Sequence, residues 1–393
     1  MRILHVITRM IIGGAQENTL FNCLDLVEQY QDQVLLVTGP ALGPEGELLE
    51  QGRAGGVPIE LVDSLRRAIH PIQDMRAYRS LVKLIRSFRP DVVHTHSAKA
   101  GFLGRLAASQ CRVPAIVHTV HGAPFHPYQH WAARELFTRL ERFAARRCHH
   151  LISVADAMTD LMVNARVAAP EKFSTIYSGM DVEPFRACGE HRSTARRELG
   201  YGDADVVFGK IARLFHLKGH EYFIEAAAKV VADNPHCQFL LVGDGLLRAE
   251  LEQQIDKLGL HQHFKFTGLV PPERIPYYLS SMDCLVHTSL REGLARTLPQ
   301  ALIAGKPIVS YDVDGAREVA IPRETGYLLP PKSIEPLAAA IAELAADQGL
   351  RDRLGQGGAA RFTDQFRHQS MTRQIRELYV RLLEGTAGST VNN

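Results

Sequence analysis

The sequence contains no closely spaced pair of cysteines. Its six cysteines lie far apart and include no Cys-x-x-Cys pair: Cys23, Cys111, Cys148, Cys188, Cys237 and Cys284. This spacing argues against a disulfide framework and against a structural zinc site, because both need cysteines grouped in a recognisable pattern. We therefore expect a reducing, cytoplasmic environment.

Long hydrophobic runs are also missing. A helix that spans a bilayer needs roughly 18 or more apolar residues in a row, and no stretch of this sequence approaches that length. Residues 1–7 have too short an apolar run for a signal peptide and instead predict a buried first strand. We expect a cytoplasmic protein whose membrane contact, if it has any, is peripheral and lies at the inner face of the membrane.

A large excess of one charge is absent too. The 45 basic and 43 acidic side chains leave a formal net charge of +2. Proteins that bind nucleic acid neutralise many phosphates, so we expect no nucleic-acid partner. The apolar content of 46% is ample for globular cores. Because single cores stop growing beyond roughly 250 to 300 residues, the length of 393 residues predicts two domains.

Short β-branched runs alternate with longer helical patterns along the chain. Six runs in the first half predict strands, at residues 2–7, 33–38, 59–62, 92–95, 115–119 and 151–154. Five more follow in the second half, at residues 206–212, 238–242, 265–267, 284–287 and 308–311. This alternation is typical of parallel sheets covered by crossover helices. It predicts an α/β protein with two doubly wound, Rossmann-like sheets.

A strand ends in a turn at residues 176–181, and the polar segment from there to Gly202 lacks a strand pattern, so we place the domain junction there. We expect domains over residues 1–180 and 181–365, followed by a last segment, residues 366–393. Residues 362–383 carry one long helical pattern, and residues 385–393 predict a frayed tail. Ligands of open parallel sheets bind beyond the carboxyl ends of the strands, so the chemistry should lie just after strands, in a cleft between the domains.

Two glycines follow the first predicted strand and open a helix. Gly13 and Gly14 lack Cβ atoms, so a ligand can approach the backbone closely, and the amides at a helix start attract anions. A simple glycine turn explains the same residues equally well. The pattern is not Gly-x-Gly-x-x-Gly, which disfavours a dinucleotide-dependent dehydrogenase.

Two cations lie between a predicted strand end and the next helix in the second half. Arg213 offers a planar fork to phosphate oxygens, and Lys218 offers a point charge. Charge-assisted bonds of this kind contribute about 1.5 to 3 kcal/mol each, so the pair suits a diphosphate. A solvated loop with two unrelated cations is the alternative interpretation.

The strongest local pattern begins at Glu292, which we expect to lie just before a helix. The first amides of that helix, at Gly293 and Leu294, would then face the same ligand as the carboxylate. Gln300 would lie about 12 Å further along the axis, at roughly 1.5 Å per residue. One element could thereby hold both the sugar and the ribose of a nucleotide sugar.

Together these residues resemble glycosyltransferase family four (group 1), and the resemblance covers nearly the whole chain. The motifs that carry it are Gly13-Gly14-Ala15-Gln16, Asp91-Val92-Val93-His94-Thr95-His96, His118-Thr119-Val120-His121-Gly122, Ser178-Gly179-Met180-Asp181, Arg213 with Lys218-Gly219, and Glu292-Gly293 with Gln300. The resemblance implies a retaining enzyme of GT-B fold, in which two Rossmann-like domains face each other and the last helix crosses back to the N-terminal domain.

The resemblance also implies roles for single residues. The implied catalytic residues are His121, Glu292, Arg213 and Lys218. The implied donor-binding residues are Gly13, Gly14, Arg213, Lys218, Glu292, Gly293, Leu294 and Gln300. In this scheme Arg213 and Lys218 clamp the diphosphate, Glu292 holds the donor sugar and His121 lies beside the reaction centre. No metal ion and no cofactor are implied, and the nucleotide sugar is a substrate.

The sequence departs from the family pattern at two positions. Gln300 stands where the second glutamate of the motif is expected to bind the ribose hydroxyls, and Ala295 stands where proline is common. A carboxylate accepts from two vicinal hydroxyls, whereas an amide accepts with one atom and donates with the other. We therefore expect altered ribose binding, weaker by about 1 kcal/mol.

Two groups of residues raise the question of a metal ion. His94, His96, His118 and His121 lie at two predicted strand ends, but no carboxylate or cysteine completes a recognisable ligand set. Asp312 and Asp314 have the Asp-x-Asp spelling of metal-dependent glycosyltransferases of another fold, and we interpret them as a turn after a strand. We predict no metal site.

We expect a hexosyltransferase of polysaccharide biosynthesis. The donor would be a nucleotide-diphosphate sugar, UDP first and GDP as the alternative, and the acceptor a hydroxyl of a glycan or a lipid-linked glycan. A noncatalytic nucleotide-sugar-binding protein and a nucleotide-sugar epimerase of related fold are the alternatives. Basic stretches at residues 76–89 and 134–147 could contact anionic lipid, although a solvated face is the simpler interpretation.

Overall fold

The fold is that of a computed structural model, described over residues 1–40 and 48–389, with side chains to residue 385. The chain divides into two compact units. Unit 1 consists of Met1–Met180 and Phe366–Asn393, and unit 2 consists of Asp181–Gln365.

Unit 1 is built on a parallel sheet of seven strands in the order β3-β2-β1-β4-β5-β6-β7. The strands are β1 Arg2–Arg9, β2 Gln33–Gly39, β3 Ile59–Leu61, β4 Val92–His96, β5 Ala115–Val120, β6 His150–Ser153 and β7 Phe173–Thr175. The central strands are buried along nearly their whole length, as expected when helices cover both faces of a sheet. The strand order reverses beside β1, so β1 and β4 flank the switch point.

Over the described residues of unit 1, six α-helices connect these strands. They are α1 Gly14–Glu28, α2 Leu49–Ala54, α3 Pro71–Phe88, α4 Ala98–Gln110, α5 Trp131–Ala145 and α6 Asp156–Asn164. The start of α3 illustrates the local signals, because the His70 side chain accepts from the Gln73 amide and Pro71 occupies the first turn. The helix ends at Arg89, which adopts a left-handed conformation with φ of 49°.

Unit 2 repeats the architecture with six parallel strands in the order β10-β9-β8-β11-β12-β13. The strands are β8 Val206–Ile211, β9 Cys237–Val242, β10 Phe264–Phe266, β11 Cys284–His287, β12 Ile308–Tyr311 and β13 Gly326–Leu329. The helices are α7 Glu183–Arg186, α8 Arg192–Glu198, α9 His220–Val231, α10 Arg248–Lys257, α11 Ile275–Ser281, α12 Thr297–Ile303, α13 Ile334–Ala346 and α14 Gln348–Phe362. The switch point of this sheet lies between β8 and β11.

The last helix, α15 His368–Ser389, packs against α1 within unit 1. Polar anchors fix its position: His368 Nδ1 lies 2.8 Å from Asp25 Oδ2, the Thr372 hydroxyl donates to the same oxygen at 2.8 Å, and Arg376 Nε donates to Asp32 at 2.9 Å. Both carboxylates are buried, so each needs these partners.

The two doubly wound sheets confirm the predicted fold class, and all eleven predicted strands are present. The strand predicted to end near residue 176 is also present, as β7, whereas the four-residue β13 was missed. The helix predicted over residues 362–383 is present as α15, but its start was wrong, because it begins at His368. The chain forms turns between the end of α14 and the start of α15, where Phe366 and Arg367 pair with Met180 instead of continuing a helix.

The predicted tail at residues 385–393 was also partly wrong. The helical backbone of α15 continues to Ser389. Two glycines in that stretch lower helix propensity, but extending an existing helix adds one hydrogen bond per residue without a new nucleation step. The rest of the predicted tail, residues 390–393, lies outside the described residues.

Candidate active site

The predicted donor residues of unit 2 follow the two strands that flank its switch point. Arg213 and Lys218 lie in the segment after β8, and Glu292 lies in the segment after β11. Hydrogen bonds join the two segments, since the Leu290 amide donates to the Leu217 carbonyl at 2.8 Å. The fold therefore brings together residues that lie more than seventy positions apart in the chain.

Lys218 and Glu292 form a direct ion pair at this place. The Lys218 Nζ donates to Glu292 Oε1, and both side chains are largely buried, with 23% and 21% of each exposed. His287, the last residue of β11, brings its Nε2 to 3.7 Å from the same carboxylate oxygen. The carboxylate of Asp314 accepts the backbone N–H of Glu292 at 2.7 Å and fixes the position of the segment.

The electrostatics of this group favour a charged carboxylate. Burial by itself would raise the pKa of Glu292, but the Lys218 ammonium and His287 outweigh it and hold that pKa well below its usual range. A permanently charged Glu292 is a hydrogen-bond acceptor only, which suits sugar hydroxyls or an amide.

A second lysine lies beneath the ion pair, and it was not predicted from the sequence as a site residue. Lys210, on β8, is completely buried and donates to the Thr288 hydroxyl at 2.9 Å. Burial, with help from the nearby Lys218 charge, lowers the pKa of Lys210 to about 7. The signal in the sequence was a lysine inside an otherwise apolar strand.

Arg213 lies at the surface, with its guanidinium 5.1 Å from the ring centroid of Phe215. Its carbonyl faces the Nε2 of His220 at 3.0 Å, which ties the segment to the first residue of α9. Gly219 precedes that helix with φ of 66°, and a Cβ there would lie 2.0 Å from the Thr288 carbonyl oxygen. The segment therefore needs glycine at position 219 for its left-handed backbone conformation and for its close contact with Thr288, which follows β11.

The predicted helix start at Gly293 was wrong. Gly293 and Leu294 lie in a bend, and α12 begins at Thr297. The segment after β12 fixes this bend, because the Gly293 carbonyl accepts a hydrogen bond from the Gly315 amide at 2.9 Å. Gln300 is the fourth residue of the seven-residue helix α12. The predicted distance between Glu292 and Gln300 assumed eight helical residues between them, so it does not hold.

Unit 1 places its predicted residues around its own switch point. Gly14 is the first residue of α1, directly after the segment that follows β1, as the sequence predicted. The Gly13 carbonyl accepts the amides of Gln16 and Glu17 at 3.1 and 3.0 Å. His121 follows β5, and His96 ends β4 on the neighbouring strand.

Four histidines of unit 1, His5, His94, His96 and His121, form one cluster, and all but His121 are buried. His5 Nδ1 lies 3.1 Å from His96 Nε2, and His96 Nδ1 lies 3.1 Å from His121 Nε2. The adjacent His94 is held between the Tyr379 hydroxyl at 2.5 Å and the Thr119 hydroxyl at 2.7 Å. The sequence pointed to His94, His96 and His121 but missed His5, since a single histidine in a buried strand carries no signal by itself.

Burial keeps these imidazoles uncharged. It lowers the pKa of His5 to about 3, and burial together with neighbouring histidines lowers the pKa of His94 and of His96 well below the usual value. One ring nitrogen from each of His5, His94 and His96 lies within 4.8 Å of the others. This spacing would suit a metal ion, but His5 Nδ1 and both ring nitrogens of His94 and His96 already lie at hydrogen-bonding distance from protein partners.

The two aspartates of the Asp-x-Asp motif, Asp312 and Asp314, have separate partners. Asp312 binds Arg317 through two contacts of 2.9 Å, and Asp314 accepts the Glu292 amide as described above. Both follow β12 directly, as the interpretation of a turn after a strand required.

Two doubly wound units of this kind are the architecture of the GT-B fold. Comparisons with known proteins agree with this assignment. A family model described as "Glycosyl transferases group 1" matches residues 191–361, and one described as "Glycosyl transferase 4-like domain" matches residues 22–179. The chain belongs to the group 1 glycosyltransferases and is a glycosyltransferase.

Curated relatives match over much or nearly all of the chain. The UDP-Gal:alpha-D-GlcNAc-diphosphoundecaprenol alpha-1,3-galactosyltransferase of Escherichia coli is 28% identical over 384 residues, which cover 97% of each chain. The alpha-D-kanosaminyltransferase of Streptomyces kanamyceticus is 29% identical over 282 residues, covering 68% of this chain and 71% of that protein.

Solved structures share the fold over the full length. Anabaena Alr3699/HepE, in complex with UDP-glucose, superposes with a TM-score of 0.81 at 25% identity and covers 97% of this chain and 100% of its own. The sucrose-phosphate synthase of Thermosynechococcus elongatus superposes with a TM-score of 0.79 at 19% identity, covering 98% and 100%. Across residues 1–40 and 48–389, no helix is long and apolar enough to cross a membrane.

Proposed function

We propose that this glycosyltransferase moves a hexose from UDP to a hydroxyl group of a glycan or a lipid-linked glycan, with retention of the anomeric configuration and without a metal ion. The observation that carries the proposal is the Lys218–Glu292 ion pair beside Arg213 at the switch point of unit 2. The names of the relatives support UDP and a lipid-linked acceptor, since one acts on a diphosphoundecaprenol and a solved neighbour holds UDP-glucose.

In this proposal Lys218 and Arg213 bind the diphosphate. As the bond from the anomeric carbon to the phosphate oxygen breaks, negative charge grows on the diphosphate. Cations already fixed in place stabilise that charge more in the transition state than in the bound donor. Partial burial of Lys218 strengthens the effect, because water screens its charge less.

Glu292 takes the donor sugar in the same scheme. Its ion pair with Lys218 keeps the carboxylate charged, and donor binding replaces part of that pairing with sugar hydroxyls on one side and phosphate on the other. The backbone amides of Gly293 and Leu294 would add contacts to the phosphate from the bend rather than from a helix start. Gln300, early in α12, would bind the ribose.

Unit 1 would hold the acceptor near His121, and Gly13 and Gly14 would contact the phosphate of the donor. The first amides of α1 and the imidazole of His121 lie beyond the carboxyl ends of β1 and β5, where ligands of parallel sheets bind. We propose that His121 lies beside the transferred sugar and orients it. The leaving phosphate then accepts the proton of the acceptor hydroxyl, so that no side chain has to act as a strong base.

Calorimetric titration with excess chelator tests the donor assignment. We would titrate UDP, GDP and their glucose, galactose and mannose conjugates into the wild-type protein and Lys218→Ala. Selective binding of uridine compounds that Lys218→Ala weakens supports the proposal. Binding that appears only after a divalent ion is added would refute the absence of a metal, and preference for guanosine would refute the choice of UDP.

Product analysis tests the reaction. With the preferred donor and a panel of glycan and polyprenyl-diphosphate-sugar acceptors, NMR of the product should show the same anomeric configuration as the donor. An inverted product would refute retention. Isomerised donor without acceptor would identify an epimerase, and donor binding with no turnover on any acceptor would favour a noncatalytic protein.

A lipid-linked acceptor would require contact with a membrane surface, and α5 supports this part of the proposal. Its outer face exposes Trp131, Leu136 and Phe143 by 75%, 53% and 41%. Exposed arginines lie on the same face, at Arg139 and Arg146. Exposed apolar side chains next to cations suit the headgroup region of an anionic bilayer.

Trp131 provides the probe, because it is the single tryptophan of the chain. Its fluorescence should shift to the blue with phosphatidylglycerol vesicles and not with phosphatidylcholine vesicles, and Leu136→Ser with Phe143→Ser should abolish the shift. Leu246→Ser with Leu269→Ser is the matched control, since those leucines of unit 2 are exposed by 62% and 63%. No shift with either lipid, or equal loss in the control, would refute membrane contact through α5.

A further inference from the structure

Three histidines of unit 1 form a row that begins in the core and ends at the proposed reaction centre. The row consists of His5 on β1, His96 at the end of β4 and His121 after β5. In each of its two contacts an Nδ1 atom faces an Nε2 atom at 3.1 Å. His5 and His96 are fully buried, whereas His121 is partly exposed. We call these three residues the imidazole row.

Geometry couples the proton positions along the row. A neutral imidazole has one N–H and one nitrogen lone pair, so it donates at one nitrogen and accepts at the other. Burial favours the neutral form of His5 and His96 by lowering their pKa. Two protons in one contact would clash and two lone pairs would repel, so each contact needs one donor and one acceptor.

Only two arrangements satisfy both contacts with neutral rings. If His5 carries its proton on Nδ1, His96 accepts at Nε2 and donates from its own Nδ1, and His121 then accepts at Nε2. The reverse arrangement puts all three protons on Nε2. In either case the three rings share one tautomer, because every contact joins an Nδ1 to an Nε2.

The buried end of the row prevents it from reversing. His5 Nε2 is buried and has no protein donor or acceptor within hydrogen-bonding distance among the described residues. Changing from one arrangement to the other requires a proton to enter or leave at that nitrogen. No protein group of the described chain stands there to deliver or accept one, so the protein side chains by themselves provide no path for a proton through this end of the row.

We propose that the imidazole row fixes the tautomer of His121 from the core, with His96 and His5 as positioning residues for the transfer reaction. Its effect on turnover rests on the proposed position of His121 beside the sugar, whereas the shared tautomer does not. Removal of an outer-shell partner that orients a metal-ligating histidine typically costs about 10- to 100-fold, and we expect a loss of similar size for a partner that orients His121.

The competing interpretation of the same cluster is a bound metal ion. His5, His94 and His96 could each offer one nitrogen. The two ring nitrogens of His94, however, already face the hydroxyls of Tyr379 and Thr119, and the nitrogens of His96 face His5 and His121. An ion would have to replace several of these hydrogen bonds, so the test includes metal analysis.

The shared tautomer can be measured directly. In the full-length protein labelled with ¹⁵N-histidine, long-range ¹H–¹⁵N correlation spectra at pH 7.5 distinguish Nδ1–H from Nε2–H rings and from charged rings. Single substitutions His5→Asn, His96→Asn and His121→Asn assign the three signals. We expect three neutral rings of one tautomer. Mixed tautomers, a charged ring in the row, or one equivalent of zinc that survives chelator would overturn the proposal.

The positioning role is tested by kinetics with the preferred donor. We expect His96→Leu to lower kcat at least 10-fold while KM for the donor changes less than 2-fold, and His96→Asn, which can still bond to His121, to restore part of kcat. His118→Leu is the matched control, because His118 is a buried histidine on β5 that bonds to Thr95 instead of the row. An equal loss of kcat in the control would overturn the positioning role.

The two proposals fail in different ways. If His121→Ala turns over at the wild-type rate while the NMR spectra show one shared tautomer, the proposed place of His121 is refuted and the positioning role falls with it. If His121→Ala loses activity but the rings carry mixed tautomers, the proposed function stands and the fixed row is refuted. Should His96→Leu fail to fold, His5→Leu, which removes the contact at the buried end of the row, provides the same comparison.

Discussion

At the scale of single residues, burial decides what the charged groups near the unit 2 switch point do. Water surrounds an exposed ammonium and screens it, whereas Lys218 is three-quarters covered and Lys210 is fully covered. A charge in such a place interacts more strongly with a ligand and with its neighbours. The same burial makes removal of one partner costly, because the other is left unpaired.

Lys218→Ala should lower turnover about 100-fold, because the loss of one transition-state cation costs about 3 kcal/mol. The measurement is kcat/KM with saturating acceptor. Lys229→Ala is the control, since Lys229 is a more exposed lysine on α9 that pairs with Glu335. A rate for Lys218→Ala within twofold of wild type would remove Lys218 from the site.

Lys210 should make stability depend on pH above neutrality. Its pKa is lowered to about 7 in the folded protein from an ordinary 10.5, so between these values the unfolded chain binds more protons and stability rises with pH. Compared with Lys210→Met, the free energy of unfolding of the wild type should gain about 2 kcal/mol from pH 7 to pH 9. Urea unfolding at both pH values measures this difference, and parallel curves for the two proteins would contradict it.

At the scale of elements, one glycine connects the segment after β8 to the segment after β11. Gly219 is left-handed, with φ of 66°, and lies where a Cβ would meet the Thr288 carbonyl oxygen at 2.0 Å. The start of α9 and the position of Lys218 both depend on that close approach. The turn therefore matters for the site even though its residue carries no functional group.

Gly219→Ala should destabilise the protein by more than the cost of backbone strain and should weaken donor binding. Gly259→Ala is the matched control, because Gly259 has φ of 70° and no atom lies within 4 Å of the position that an alanine methyl group would occupy. We expect about 1 kcal/mol for the control and at least twice that for Gly219→Ala. Thermal melting and UDP titration measure both effects, and equal losses in the two variants would show that the close contact does not matter.

The elements also show why the segment after β11 differs from its prediction. A charged residue followed by glycine and an apolar pattern predicts a helix start at Gly293. In the fold, Asp314 and Gly315 from the segment after β12 hydrogen-bond to the backbone of Glu292 and Gly293 and shift the helix start to Thr297. These contacts from the segment after β12 outweigh the local tendency of the sequence to begin a helix at Gly293.

At the scale of the whole molecule, the C-terminal helix completes unit 1. Its partners are buried groups of the first strands and helices, with Tyr379 bonded to His94 and Arg376 bonded to Asp32. Without α15 these polar groups would lose their hydrogen-bond partners, and the core beside them would be open. Buried polar groups without partners cost about 1 to 3 kcal/mol each.

A chain that ends at residue 365 should therefore lose the unfolding transition of unit 1 while unit 2, Asp181–Gln365, still unfolds cooperatively. Calorimetric scanning of the truncated and full-length proteins tests this. The milder variant Tyr379→Phe should retain both transitions and lower the stability of unit 1 by about 1 kcal/mol. Unchanged melting of the truncated chain would show that α15 contributes nothing to unit 1.

The amino-acid sequence by itself determined the fold class and which residues follow the ends of the strands. Eleven strands, two doubly wound series and the pairs Gly13–Gly14, Arg213–Lys218 and Glu292–Gly293 follow from periodicity and from residue types at strand ends. These features are local, because the pleat of a strand and the turn of a helix repeat within a few residues.

Only the tertiary structure decided which distant residues meet. It paired Lys218 with Glu292, buried Lys210 beneath them and joined His5 to His96 and His121. The physical reason is that strand order in the sheets, which the local pattern does not encode, brings β8 beside β11 and β1 beside β4. Burial, and the pKa shifts that follow from it, depend on what packs around a residue once those strands have been joined.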